Sequence, residues 1–455
     1  ASSGQHVGRL RLTAGGESLE IPVVLNVWDF TLPDFLSFIP EMNCYGLPDG
    51  ERDYYRLAHK HRTVLNRVPY HQNGQVAEGC APSWDGARLD FADWDTRFGP
   101  YLDGSAFDDL PRQRVPLECF YLPLHENWPS AMEGQYNGDY WADRAFPAAY
   151  REAFVAASRQ LAEHFDQCGW HETLFQCFQN GKNNFKQDGW SRGSSPWLLD
   201  EPANFQDYWA LRYFGRAFHE GVGQAGGHAR MLFRCDISRP EWQRDTLDDV
   251  LDYNVVGGSF RKYHRMVMDR KSDHGQIVIE YGSTNAVDES NMQPLGWCLD
   301  AWSLEADGVL PWQTVGSPDS WRHADTLSLF YPADRGHSTQ PVPSVRLKAY
   351  RRGQQDVEYL TLLTCETGEP RWAVGQRVRE ALRLSGERRG TGSGGEDAGV
   401  IHFAALRPQD ACALRARIGR ALSEIHPAPR RRLVNFRTPP RNPAIEFGYV
   451  SGKPQ

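Results

Sequence analysis

Two adjacent acids, Asp200 and Glu201, carry the strongest chemical signal in the sequence. They stand in the run WLLDEP, from Trp197 to Pro202. Three apolar residues read as the end of a buried strand, and the proline suits the first turn of a following helix. Two carboxyls this close resist double ionisation, and apolar surroundings raise the pKa of whichever is less solvated. One acid then keeps a proton while the other stays charged. Cleavage of a glycosidic bond needs both: a proton for the leaving oxygen, and a negative charge beside the forming oxocarbenium ion. A plainer reading stands beside it, in which Asp200 caps the next helix and Glu201 stabilises the helix dipole.

Other polar residues follow apolar runs and are candidates to share a site with the acids. Asn180 and Lys182 lie in FQNGKNN, and His125, Glu126 and Asn127 follow LPL. Tyr281 and Asn285 follow IVIE, and Trp312 and Gln313 follow GVLP. For each of these a packing role is equally open. Trp297 and Trp302 read as helix core, and Arg351 and Arg352 as helix-surface or salt-bridge residues. The nine cysteines include no C-x-x-C pair, and His264, His323 and His337 have no ligand spacing. The reading is therefore buried free thiols, no metal and no cofactor.

The elements that must position these residues alternate. Strands are expected at 37–45, 63–70, 117–124, 173–180, 196–200, 229–235, 252–257, 275–281 and 307–312. Helices are expected at 51–61, 146–166, 203–220, 259–271 and 290–303. Repeated strand-then-helix units imply a (β/α)8 barrel, an α/β fold whose active sites sit at the C-terminal ends of the strands. Nine strand candidates compete for eight places, and one of the first four is read as an insertion. Residues 82–116 form a long loop rich in Asp, Gly and aromatics. Residues 7–14 and 19–28 read as two strands that either close a β-sandwich whose earlier strands precede them or pack on the next domain. Helices are expected at 341–364, 371–384 and 408–425, with a Gly-rich loop at 388–399. The domains are then 1–33, the end of an N-terminal β-sandwich; 34–340, a catalytic barrel; and 341–455, a C-terminal helical extension and tail.

Composition narrows the partners. The 455 residues carry a formal net charge of -8, so no positive surplus exists to hold a phosphate backbone, and nucleic acid is not expected as a partner. No apolar run approaches the ~20 residues that span a bilayer, and the mean hydropathy is -0.59. The 15 Trp, 18 Tyr and 22 Phe fill cores and also suit stacking on sugar rings.

Longer blocks add a resemblance. LLDEPANFQDYWALRYFG resembles the catalytic motif of glycoside hydrolase family 123. So do GVLPWQTVG, LFYP and PVPSVRLKAYRRGQQDVEYLTLL, the last being similar to the signature of the overlapping domain of unknown function 4091. IPVVLNVWDFTLP resembles the end of the family's N-terminal β-sandwich. The resemblance implies a retaining β-N-acetylhexosaminidase, secreted or periplasmic, acting on a β-linked N-acetylgalactosamine-like carbohydrate. It uses substrate-assisted catalysis: the substrate's own acetamido oxygen is the nucleophile, Glu201 matches the acid/base, and Asp200 matches the residue that orients the acetamido N–H. Trp312 would wall the acetamido methyl and Tyr281 would meet its carbonyl oxygen.

Two alternatives remain at this stage. If the acid-pair strand is the fourth, Glu280 ends the seventh, which resembles clan A glycosidases with Glu201 as acid/base and Glu280 as nucleophile; Asp200 stands where that clan usually has Asn. The other alternative is a non-catalytic carbohydrate-binding barrel.

Overall fold

The computed structural model describes residues 2–181, 189–191, 194–257, 260–333, 338–389 and 400–436. Lys182 and His337 lie outside the described residues. Two long strands, β1 (Gly4–Ala14) and β2 (Glu17–Val27), pair antiparallel across Gly15–Gly16. Both glycines have positive φ (59° and 85°), as a two-residue hairpin turn requires. The hairpin is exposed along its length, apolar Val7, Leu10, Leu19 and Val24 included.

Eight parallel strands then form the barrel: β3 (Ile39–Cys44), β4 (Val64–Arg67), β5 (Cys119–Tyr121), β6 (Leu174–Phe178), β7 (Arg230–Ile237), β8 (Tyr253–Val256), β9 (Ile277–Gly282) and β10 (Gly308–Pro311). Their order is β4-β3-β10-β9-β8-β7-β6-β5. Where β4 meets β5, the Tyr121 amide donates to the Asn66 side chain at 2.9 Å, so a side chain closes the ring.

The barrel interior holds a polar cluster. Arg234, 1% exposed, donates to Glu41 (2.9 Å), Gln176 (2.8 Å) and Asp236 (2.7 and 2.9 Å). Asn66 (2.8 Å) and the Tyr253 hydroxyl (2.5 Å) also donate to Glu41. The guanidinium lies 4.8 Å from the ring centres of both Tyr121 and Phe178. A buried charge is tolerable only when so paired, and together these bonds tie five strands, β3, β4, β6, β7 and β8, to one another. Outward residues of the same strands are apolar: Phe120, Phe175 and Phe233 meet helix aromatics Phe98, Phe165 and Phe218.

Helices cover the strands. These are α1 (Glu51–Lys60), α2 (Ala92–Leu102), α3 (Ala148–Gln167), α4 (Phe205–Ala225), α5 (His264–His274), α6 (Met292–Ser303) and α7 (Val345–Thr367). After β7 a four-residue turn of helix, Pro240–Gln243, stands where a full helix would be. Tyr150, Phe154, Leu161 and Phe165 give α3 its buried stripe at helical spacing. Two further helices, α8 (Arg371–Leu382) and α9 (Pro408–Ile425), complete the chain's helical end.

Three expectations change. The surplus strand is the fifth candidate, 196–200, not one of the first four: the amides of Leu199 and Asp200 both turn to one carbonyl, Gly181 (2.7 and 3.4 Å), instead of joining a ladder. Trp197 and Leu199 are apolar because they are buried within the loop after β6. The 82–116 segment holds α2, which covers the barrel through Trp94 and Phe98, against Phe120. Helix α7 is the barrel's eighth helix, not an extension, so a boundary at 340 cuts the last strand–helix unit. Thr361 accepts from Trp302 of α6 (3.0 Å), and Glu358 receives the Ser37 amide (2.8 Å) just before β3.

Candidate functional site

The acid pair lies between β6 and α4, at the C-terminal mouth of the barrel. Its loop is fixed from both sides by Asp207, whose carboxylate accepts the amides of Leu198 (3.0 Å), Ala203 (3.1 Å) and Asn204 (3.0 Å). Asn204 is the N-cap of α4 and forms a reciprocal box with Asp207. The capping role open to Asp200 is thus taken by Asn204, and Pro202 precedes the cap. Asp200 and Glu201 are 5% and 4% exposed, a burial that capping does not require.

Glu201 has φ 57°, a left-handed backbone that costs a side-chain-bearing residue about 1–2 kcal/mol. Its amide donates to the carbonyl of Asp236 at 3.1 Å, which fixes that conformation. The Ser238 hydroxyl donates to Glu201 Oε1 (2.7 Å) and lies 3.2 Å from the Tyr281 hydroxyl. Gly257 makes room for Tyr281: a Cβ there would stand 2.4 Å from its ring. Burial pushes the Asp236 carboxyl up, against the opposing pull of Arg234.

At the end of β5, His125, Glu126 and Asn127 clamp the segment leading to the acids. Ser194 donates to Glu126 Oε1 (2.7 Å), and Asn127 Nδ2 donates to the Ser194 carbonyl (2.5 Å). Gly181 packs against this clamp: a Cβ there would lie 2.9 Å from Glu126 Oε1 and 3.0 Å from Ser195 Oγ, so a larger residue would have to displace them. Burial raises the Glu126 carboxyl to about 7. Burial also holds the His125 ring down to about 4, and the ring stacks on Tyr70 at 3.9 Å.

The remaining sequence candidates divide. Asn180 is 1% exposed, and its side-chain amide has no hydrogen-bond partner among the described residues. Half-buried Trp312 receives Asn43 Nδ2 on its carbonyl (2.8 Å) and leads into Gln313, whose Oε1 takes the Tyr45 amide at 3.4 Å. Asn285 is occupied structurally, donating to Leu327 (2.9 Å) and receiving the Tyr350 hydroxyl (2.9 Å). Trp297 and Trp302 are core residues, as expected. Glu280 is not brought to the acid pair. Tyr281 points into the mouth, so its neighbour Glu280 faces the helix layer, fully buried, paired with Arg261 and receiving Trp297 Nε1 at 2.9 Å.

Sequence reasoning missed Asp236 and Ser238 by ending the strand at 235, and gave Arg234, inside that strand, no role in the site. The signal was there: three polar residues at period two, interleaved with Cys235 and Ile237. A cleft of about 680 Å³ opens elsewhere, lined by His264, Leu304, Trp372 and Arg379 near the start of β10, and touches none of these mouth residues. Six cysteines are buried free thiols, but Cys168, Cys365 and Cys412 are exposed.

No protein-family model matches this sequence, and no curated protein matches it. Among solved structures the chain is similar to a family 123 glycoside hydrolase from Clostridium perfringens, described for glycolipid glycan hydrolysis. The two are 12% identical with a TM-score of 0.57, over 94% of this chain and 76% of that one. At this identity the likeness establishes a common fold. Fpglu1 from a Fervidobacterium is 9% identical (TM-score 0.42, 71% of this chain, 96% of that one). A family 138 enzyme targeting pectin rhamnogalacturonan II is 10% identical (TM-score 0.40, 82% and 48%). Neither of these two adds weight to the fold assignment.

Proposed function

We propose that the protein is a glycoside hydrolase, related to family 123, that cleaves a β-linked 2-acetamido sugar with retention. The observation that carries this reading is the buried acid pair at the barrel mouth, with Glu201 held in a left-handed backbone. Strain kept at a buried carboxyl beside site hydroxyls is characteristic of functional residues.

The substrate's acetamido oxygen attacks the anomeric carbon as Glu201 gives its proton to the departing oxygen, leaving a cyclic oxazoline. Glu201, now a carboxylate, takes a proton from water as the water attacks the same carbon, reopening the ring with retained configuration. Asp200 accepts the acetamido N–H and balances the positive charge that develops on it. The acetamido group and the leaving oxygen sit on neighbouring sugar carbons, and the two acids are neighbours in the chain. Well-aligned intramolecular attack gains about 7–11 kcal/mol. Tyr281 is assigned to the acetamido carbonyl, Trp312 to its methyl, and Asn180 and Gln313 to sugar hydroxyls. Ser238 orients Glu201. The burial of Glu280 against Arg261 speaks against a covalent intermediate on that residue.

Hydrolysis of aryl β-glycosides with and without the 2-acetamido group tests this. Turnover confined to the 2-acetamido series, blocked by a thiazoline analogue and lost in Glu201→Gln, is the expected result. Equal turnover of sugars lacking the acetamido group, with no thiazoline inhibition, would overturn it.

A further inference from the structure

A second grouping of reactive side chains lies on the outer helices. Asp95 comes from the first turn of α2, His164 from the last turn of α3, and Cys168 closes α3 six residues before β6 begins. That places the grouping toward the N-terminal end of the strands, away from the acid pair. His164 and Cys168 are four residues apart and share one helix face.

His164 Nε2 stands 2.9 Å from Asp95 Oδ1 and 3.6 Å from Cys168 Sγ. The three ligand atoms all lie within 4.8 Å of one another. Around a tetrahedral zinc, with bonds of about 2.0–2.3 Å, neighbouring ligand atoms are about 3.3–3.6 Å apart. The nitrogen–sulfur separation already meets this, and the nitrogen–oxygen pair needs to open by a few tenths of an ångström. The imidazole is fixed in advance: it stacks on Phe91 at 3.7 Å with 9° between planes, and Trp170 meets it edge-on at 5.7 Å.

We propose that Asp95, His164 and Cys168 form a binding site for a thiophilic divalent cation, zinc above all, that clips α2 to α3. Binding converts the Cys168 thiol to a metal thiolate and releases its proton to solvent. Cys168 is exposed, which leaves the fourth coordination position open to water.

The test uses the full chain carrying Cys365→Ser and Cys412→Ser, so that Cys168 is the exposed thiol that remains. Titration with cobalt(II) is expected to give a thiolate charge-transfer band saturating at one equivalent and bleached by zinc. Zinc is expected to slow the reaction of Cys168 with a disulfide reagent about tenfold or more. His164→Gln and Asp95→Asn should each weaken binding about 10–100-fold. No cobalt band together with an unchanged thiol rate overturns the site. So does binding that both variants leave at full strength, since that is capture by a lone thiol.

Discussion

The backbone amide of Glu201 donates to the carbonyl of Asp236 at 3.1 Å, and in doing so pins Glu201 at φ 57°. The loop that carries the acid pair is thereby fastened to the end of β7, the strand that also supplies Arg234 and leads into Ser238. A left-handed backbone disfavours any residue with a Cβ. Glu201→Ala and Glu201→Gly remove the same carboxyl but differ in that penalty. The alanine variant is expected to be less stable than the glycine variant by about 1 kcal/mol in urea unfolding. Both should lose about 10²–10⁴ in kcat. An alanine variant as stable as glycine would show that the conformation costs nothing.

Glu280 separates the two catalytic routes. Its carboxylate is buried between Arg261 and Trp297 Nε1 (2.9 Å) on the helix side of β9. Glu280→Gln is expected to destabilise by about 1–3 kcal/mol, since Arg261 keeps Asp300 as a partner but the charged bond to Glu280 is lost. Activity of the folded variant should stay within about tenfold of wild type, and added azide should not restore or change it. A far deeper loss of kcat, rescued by azide, would identify Glu280 as a nucleophile.

Glu126 makes stability depend on pH in a stated direction. Burial raises its carboxyl from 4.5 to about 7 in the folded protein. Between those values the folded state holds a proton that the unfolded chain has released. Stability is therefore lost as pH rises through that window, by about 1.4 kcal/mol per unit and about 3 kcal/mol in all. Glu126→Gln keeps a partner for Ser194 and removes the titration. From about pH 4.5 to about pH 7.5 the variant should gain about 3 kcal/mol on wild type in urea unfolding. Parallel stability curves would place the raised acid elsewhere.

The barrel was legible because its strands are short, largely apolar runs, most of them followed by an amphipathic helix. The acid pair was legible by residue type, but its carrier was not. Trp197 and Leu199 imitate a strand because the loop after β6 has a buried interior of its own. The facing of Glu280 could not be read, since IVIEYG is buried on both sides and shows no alternation to mark the inner one. Helix α2 was hidden by Gly99 and Pro100 near its end. The eighth helix was expected at 341–364 but assigned outside the barrel, because some thirty residues separate it from β10, a gap that looks like the end of a domain. The polar interior around Arg234 depends on partners from four strands, and no local window brings them together.

Tyr281 gives a final test, because one atom outside it controls its position. A Cβ at residue 257 would lie 2.4 Å from the Tyr281 ring, closer than any real contact, so Gly257→Ala must move the ring or the β8 end. The Tyr281 hydroxyl is 3.2 Å from Ser238 Oγ, which in turn holds Glu201. Displacement should therefore raise KM for 2-acetamido substrates and lower kcat, about 10–100-fold in kcat/KM. Tyr281→Phe, which keeps the ring and drops the hydroxyl, should lose a similar amount of activity with stability changed by less than about 1 kcal/mol. If Tyr281→Phe retains full activity while Gly257→Ala does not, the ring matters only as packing and the hydroxyl is not a ligand of the acetamido carbonyl.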